Sequence, residues 1–234
     1  MYEYVKQNYE ALLSEISELC ASLGRAPATL VAVTKSGTDE ELMALAACGV
    51  TDIGENRPQE LVRRGALMRE AGYTPRLHEI GNLQKNKVRQ IIDGVYMIHS
   101  LDSLPLAEEI SKRATAAGRK IPVLIEINSA AEEAKGGISL SDAEEFFLKV
   151  REYPSLEVCG LMTMGPVSDN PEDMRPYFRK TKEAFDLINA KYGFGGEPTL
   201  SMGMSDSYRI AIEEGATVVR VGHKIFERTG NDHV

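Results

Sequence analysis

The apolar positions of this chain alternate between two rhythms from one end to the other. Over residues 4–23, Val5, Tyr9, Leu12, Leu13, Ile16 and Leu19 recur every three or four positions, which predicts one face of a helix that Gly24 ends. The unbroken apolar run at 30–34 lies between Pro27 and Gly37 and predicts a buried strand. Thr38 followed by Glu41 has the spacing of a capping box, for a helix stopped by Gly49. The alternation then repeats. A strand at 51–53 leads through Gly54-Glu55-Asn56 into a helix to Arg69, and a strand at 76–80 into a helix at 83–92. Further strands are predicted at 96–99, 122–127, 156–162, 199–201 and 216–221. Helices between them are predicted at 101–117 behind Asp102, at 141–153 after a loop with Gly136-Gly137, at 171–192 and at 206–214.

Eight short apolar runs separated by helical patterns predict parallel β/α architecture, because a parallel pairing needs a crossover of about a dozen residues or more. The count of eight favours closure into a (β/α)8 TIM barrel with an extra N-terminal helix. An open doubly wound sheet is the alternative that periodicity leaves standing. No composition shift, repeat or low-complexity tract marks a linker, so residues 1–234 are read as a single domain.

Composition narrows the classes. With 43% hydrophobic and 26% charged residues the chain is expected to fold as an ordinary globular domain. Its 35 acidic against 27 basic residues argue against nucleic acid as a general partner, since a phosphate backbone calls for excess cations. Cys20, Cys48 and Cys159 form no CxxC pair and are expected to be reduced, buried thiols. Charges run through the first twenty residues, and no stretch approaches the roughly 20 apolar residues of a membrane helix. A cytoplasmic protein without a membrane partner is expected.

The chemically distinctive residues fall at the carboxyl ends of the predicted strands, where barrel sites are built. Lys35 follows the first strand, Asn56 the second, Met164 the sixth, Ser201 to Ser205 the seventh, and Arg220 and Gly222 close the eighth. A lysine ending an apolar strand either finds a counter-charge or loses its proton to low-dielectric surroundings. In the second case the neutral amine can attack an aldehyde to form a Schiff base. The plain alternative is a lysine that reaches out to solvent. In Ser201-Met202-Gly203-Met204-Ser205-Asp206 a strand passes into a helix through a glycine and two hydroxyls. Backbone N–H groups there can cradle an anion, with Gly222 letting a second backbone stretch approach it. The alternative is an ordinary turn whose helix Ser205 caps. Arg220 can either bond a ring nitrogen or pair with Glu55 or Glu126 inside the barrel mouth. His78 has no second histidine at ligand spacing and reads as a packed or hydrogen-bonding residue, and the basic run Lys85-Asn86-Lys87 with Arg89 as a solvated face.

Six blocks carry a resemblance: Val31-Ala32-Val33-Thr34-Lys35, residues 53–60, residues 78–87, Gly160-Leu161-Met162-Thr163-Met164, residues 201–206 and Val219-Arg220-Val221-Gly222. In this order, over about residues 30–226, they resemble the pyridoxal phosphate homeostasis proteins of the YggS/PROSC type. The resemblance implies a barrel of pyridoxal 5'-phosphate (PLP) fold type III, like the N-terminal domain of alanine racemase. It implies that Lys35 carries PLP as a Schiff base, that Ser201, Met202, Gly203, Ser205 and Gly222 surround the phosphate, and that Asn56, Met164 and Arg220 line the ring. Where the family often has a further lysine and a proline after the Schiff-base lysine, this chain has Ser36-Gly37-Thr38, and His223-Lys224 and Glu227 replace small residues near the end.

The resemblance implies a carrier or regulator of intracellular PLP with no established turnover and with apo PLP-dependent enzymes as candidate partners. The rival class is a PLP-dependent amino-acid racemase, which needs two opposed acid–base groups. Lys35 could be one. The other would be a tyrosine or cysteine from a second domain or subunit, and only eight residues follow Phe226 to build such a domain. A monomer is expected on the same ground. A third class is a phosphate-binding barrel enzyme that uses Lys35 as an aldolase does, without PLP.

Overall fold

In the computed structural model, which describes residues 2–130, 136–166 and 168–228, eight strands pair in parallel in chain order and close on themselves. They are β1 (Thr29–Val33), β2 (Asp52–Glu55), β3 (Arg76–Glu79), β4 (Met97–Leu101), β5 (Ile121–Glu126), β6 (Leu156–Met162), β7 (Thr199–Ser201) and β8 (Val218–Val221). The seam joins β1 to β8, with Val31 opposite Arg220 and Ala32 opposite Val221. That pairing excludes the open sheet.

Helix α1 (Glu3–Ser22) precedes the barrel and buries Tyr4, Val5, Tyr9, Leu12, Ile16 and Cys20. Leu13, expected on that face, is exposed, because the buried stripe is one residue narrower than the apolar pattern. The side chain of Asn8 ties the helix to the carbonyls of Ile225 and Glu227, beside the last strand. Between strands lie α2 (Asp39–Ala47), α3 (Pro58–Glu70), α4 (Val88–Ile91), α5 (Leu104–Ala116), α6 (Ala143–Val150), α7 (Arg175–Tyr192) and α8 (Tyr208–Glu213), and α9 (His223–Phe226) follows β8. The capping box of Thr38 and Glu41 forms as predicted.

Two helices differ from expectation. The segment at 83–92 is one 3-10 turn, Lys85–Lys87, and a single α-turn, since Gly81, Asn82 and the run of Gln84 to Lys87 supply no continuous apolar stripe to hold a longer helix down. Leu101 belongs to β4, opposite Ile125, and α5 starts three residues later with Pro105 in its first turn, where a missing N–H costs nothing.

Alternation along the strands divides the interior into two layers. One apolar layer, including Leu30, Ile53, Leu77, Ile98 and Val219, packs outward against the helices. Inside the barrel a small apolar cluster of Met97, Leu124, Cys159 and Met162 fills one side. The other side holds buried Asp52, His78, His99, Ser201 and Arg220. Cys20, Cys48 and Cys159 are free thiols, and no helix among the described residues is long and apolar enough to cross a membrane.

Candidate functional site

The carboxyl end of β1 runs into a 3-10 turn, Thr34–Ser36, that carries Lys35. This turn is held from α3. Arg64, 6% exposed, donates to the carbonyls of Thr34 and Gly37, the latter at 2.8 Å, and its Nε lies 3.4 Å from a Glu55 carboxylate oxygen. Thr34 Oγ1 donates to Glu55 at 2.5 Å. Lys35 itself is exposed, at the edge of a cavity of about 540 Å³ lined with Ser36, Glu55, Asn56, Arg57, Glu60 and Arg64. Enclosure of the lysine in a dry strand end, one of the two sequence expectations, is not what the fold provides. The turn leaves the strand before the side chain can be buried.

On the other side of the seam the backbones touch. A Cβ on Gly222 would lie 2.5 Å from the carbonyl oxygen of Val33, so only glycine lets the end of β8 reach the start of the Lys35 turn. Gly203 has φ +90°, and a Cβ there would meet Ala211 and Tyr208. This turn then presents the amides of Ser205 and Asp206, for which no backbone acceptor exists among the described residues. The N-cap position of α8 falls on Ser207 and not Ser205, because the chain makes one more turn before α8 begins; the Ser207 hydroxyl makes no cap bond and accepts from the Met204 amide of that turn at 3.1 Å. Met202 is fully buried in the outer layer and can offer the site only its backbone. Asn56 lines the Lys35 cavity, and Met164, 40% exposed, lines a separate cleft with Glu126, Ser129 and Gly165.

Arg220 is 4% exposed and stands at the top of a hydrogen-bonded chain through the barrel. Its Nη1 donates to Ser201 Oγ at 2.5 Å and its Nη2 to the Thr163 carbonyl at 3.0 Å. Ser201 Oγ lies 3.0 Å from His99 Nδ1, His99 Nε2 2.9 Å from His78 Nδ1, and His78 Nε2 2.8 Å from Asp52. Arg76 closes the far end on Asp52 at 2.6 Å. Neither carboxylate considered as a partner for Arg220 forms an ion pair with it. Burial lowers the guanidinium pKa to about 10 against a longer-range pull from Glu126.

Three buried acids near this end are shifted toward their neutral forms, Glu55 by burial against its Thr34 bond and Arg64. Burial, with the nearby Glu55 charge adding to it, pushes Glu79 up to about 8 against one bond from the Gly81 amide. Burial and Asp102 push Glu126 up to about 7. Sequence reading passed over Arg64 and His99. Arg64 shares the buried stripe of α3 with Leu61, Gly65 and Met68, and a charge in an apolar stripe was a legible signal. His99 lies two residues beyond Met97, so strand alternation put it inside the barrel.

These residues sit on a chain whose relatives are well defined. Residues 7–228 match the family model described as alanine racemase, N-terminal domain. A pyridoxal phosphate homeostasis protein of Aquifex aeolicus is 41% identical over 217 residues, 92% of this chain and 94% of that one. The chain belongs to the pyridoxal phosphate homeostasis protein family. Among solved structures, a Bifidobacterium adolescentis protein superposes with a TM-score of 0.87 at 35% identity, covering 96% of this chain and 95% of that one. PipY of Synechococcus elongatus PCC7942, in a structure with PLP bound, superposes with a TM-score of 0.77 at 27% identity, covering 91% of this chain and all of its own.

Proposed function

We propose that this chain binds PLP as a Schiff base on Lys35 and acts in intracellular PLP homeostasis, as a carrier or regulator. The observation that carries the reading is the β1–β8 seam. It brings an accessible amine, a glycine-lined anion turn with unclaimed amides and a buried guanidinium to one rim of one barrel. PLP, when bound, supplies an aldehyde that a primary amine captures with loss of water.

Each residue then has a task. The Lys35 amine forms the link, and Arg64 fixes the turn that presents it. The amides of Ser205 and Asp206 hold the phosphate, with Gly203 and Gly222 clearing the approach of the backbone. Arg220 faces the ring nitrogen and, as a permanent donor, keeps it unprotonated. Asn56 and Met164 flank the ring. A ring nitrogen denied a proton is a weak electron sink, which favours holding the cofactor over transforming an amino acid on it. Release to apo PLP-dependent enzymes, a cytoplasmic location and a monomeric state complete the proposal.

The test is reduction with borohydride of protein mixed with stoichiometric PLP, followed by peptide mass mapping. The expected adduct is on Lys35, and Lys35→Ala is expected to lose both adduct and visible absorption. Label scattered over surface lysines would overturn the site. Racemisation of an amino-acid panel at enzymatic rates by the loaded protein would overturn the carrier role in favour of the racemase.

A further inference from the structure

The hydrogen-bonded chain beneath Arg220 has a direction, fixed by its two ends. Asp52 is 1% exposed. Burial opposes its charge, yet His78 and Arg76 together hold it below the usual carboxylate range, so it can only accept. His78 therefore carries its proton on Nε2. Burial, outweighing the pull of Asp52, lowers the pKa of His78, and burial together with the nearby His78 and Arg220 lowers that of His99 further, which favours the neutral form of both rings. A neutral His78 protonated on Nε2 has only an acceptor at Nδ1, which calls for a proton on His99 Nε2. His99 Nδ1 is then also an acceptor, and the one proton able to meet it is that of Ser201. The Ser201 oxygen is left to accept from Arg220, which can only donate. The reverse order would need either a protonated Asp52, facing Arg76 only 2.6 Å away, or an imidazolium His78 donating from both ring nitrogens, whose charge burial opposes.

We propose that Asp52, His78, His99 and Ser201 are positioning residues for Arg220, and that Ser201 serves the guanidinium and not the phosphate. Ser201 is fully buried and its hydroxyl proton is directed inward, so the chain clamps Nη1 while the Thr163 carbonyl clamps Nη2. With both terminal nitrogens anchored, the guanidinium plane is set before any ligand arrives, and its remaining N–H groups are the ones available at the rim. This inference rests on the PLP reading for what Arg220 faces, while the direction of the chain belongs to the apo protein.

The experiment is long-range 1H–15N NMR of the histidine rings in the 15N-labelled apo protein, followed by PLP titration read by visible absorption. The expected result is that His78 and His99 are both neutral and protonated on Nε2 from pH 6 to 8. Asp52→Leu, changed at the far end of the barrel, is expected to shift the ring signals of His99 and to weaken PLP binding about tenfold, the scale of one lost bond to a charged group. Asp52→Asn keeps an acceptor oxygen for His78 and is expected to hold both readouts near the wild type. A wild-type His99 protonated on Nδ1 would overturn the inference without any variant, as would an Asp52→Leu protein whose His99 signals and PLP affinity are unchanged. Wild-type protein with the assigned protonation but no PLP absorption would overturn the cofactor reading alone and support the chain.

Discussion

The two flanks of the barrel mouth are built on opposite terms. On the β1–β2 flank, Lys35 is exposed on a 3-10 turn beside an open cavity, and what is rigid lies beneath it, in the contacts of Arg64 with Thr34, Gly37 and Glu55. On the β7–β8 flank the candidate cation, Arg220, is itself buried, clamped by Ser201 and Thr163 and backed by two histidines. The difference follows from what each group has to do. Under the proposed function, an amine that captures and releases an aldehyde needs access and freedom, whereas a guanidinium that orients a ring gains from having none.

The largest effect is expected from removing the support under the exposed flank. Arg64→Leu leaves Glu55 buried without its cation and two carbonyls without donors, and is expected to cost about 4 kcal/mol in urea unfolding. The control is on the surface: Arg63→Ala breaks a pair with Asp39 in which both side chains are 45% exposed, and should cost under about 1 kcal/mol. Equal costs for the two would remove the distinction between buried support and surface decoration.

Next in size is a pH effect from Glu79, fully buried with one carboxylate oxygen unpartnered. Its folded pKa, near 8, lies above the ordinary value of 4.5, so the folded state holds the proton more tightly. Stability is then greatest below about pH 4.5 for this group and declines as the pH rises toward 8. Glu79→Gln is expected to flatten the decline by a few kcal/mol, leaving the smaller part due to Glu126, near 7. A Glu79→Gln protein whose unfolding midpoint depends on pH between 5 and 8 as the wild type's does would contradict this.

On the dry flank, Arg220→Lys keeps the charge but cannot reach Ser201 and Thr163 together, as a planar fork does. A loss of about 2 kcal/mol in apo stability is expected, alongside weaker PLP binding. The smallest effect should come from Lys35→Ala, whose unfolding is expected to change by less than about 0.5 kcal/mol while covalent capture disappears. A large stability loss there would mean that the fold depends on the exposed flank no less than on the buried one.

The element order and the placing of the candidate residues at strand ends were readable in the chain because both depend on local pattern. Strand runs, capping signals and the glycines at Gly203 and Gly222 are stated in consecutive residues, and all the expected site residues do lie at the carboxyl end of the barrel or just beyond it. Ser207 in place of Ser205 at the N-cap position, and the shortened helix after β3, show where that pattern was ambiguous: hydroxyls two positions apart, and a polar run that propensity alone could not place.

The period of the apolar residues is written in the chain, and with it parallel β/α units, eight of them, with lysine, glycine and arginine at strand ends. Which side chains meet across the barrel is settled by folding. Asp52, His78, His99, Ser201 and Arg220 lie on five strands, with bonded partners as much as 102 residues apart, and closure alone brings them within hydrogen-bond distance. The exposure of Lys35 was decided the same way, since burial depends on what the rest of the chain places over a residue and not on its neighbours in sequence.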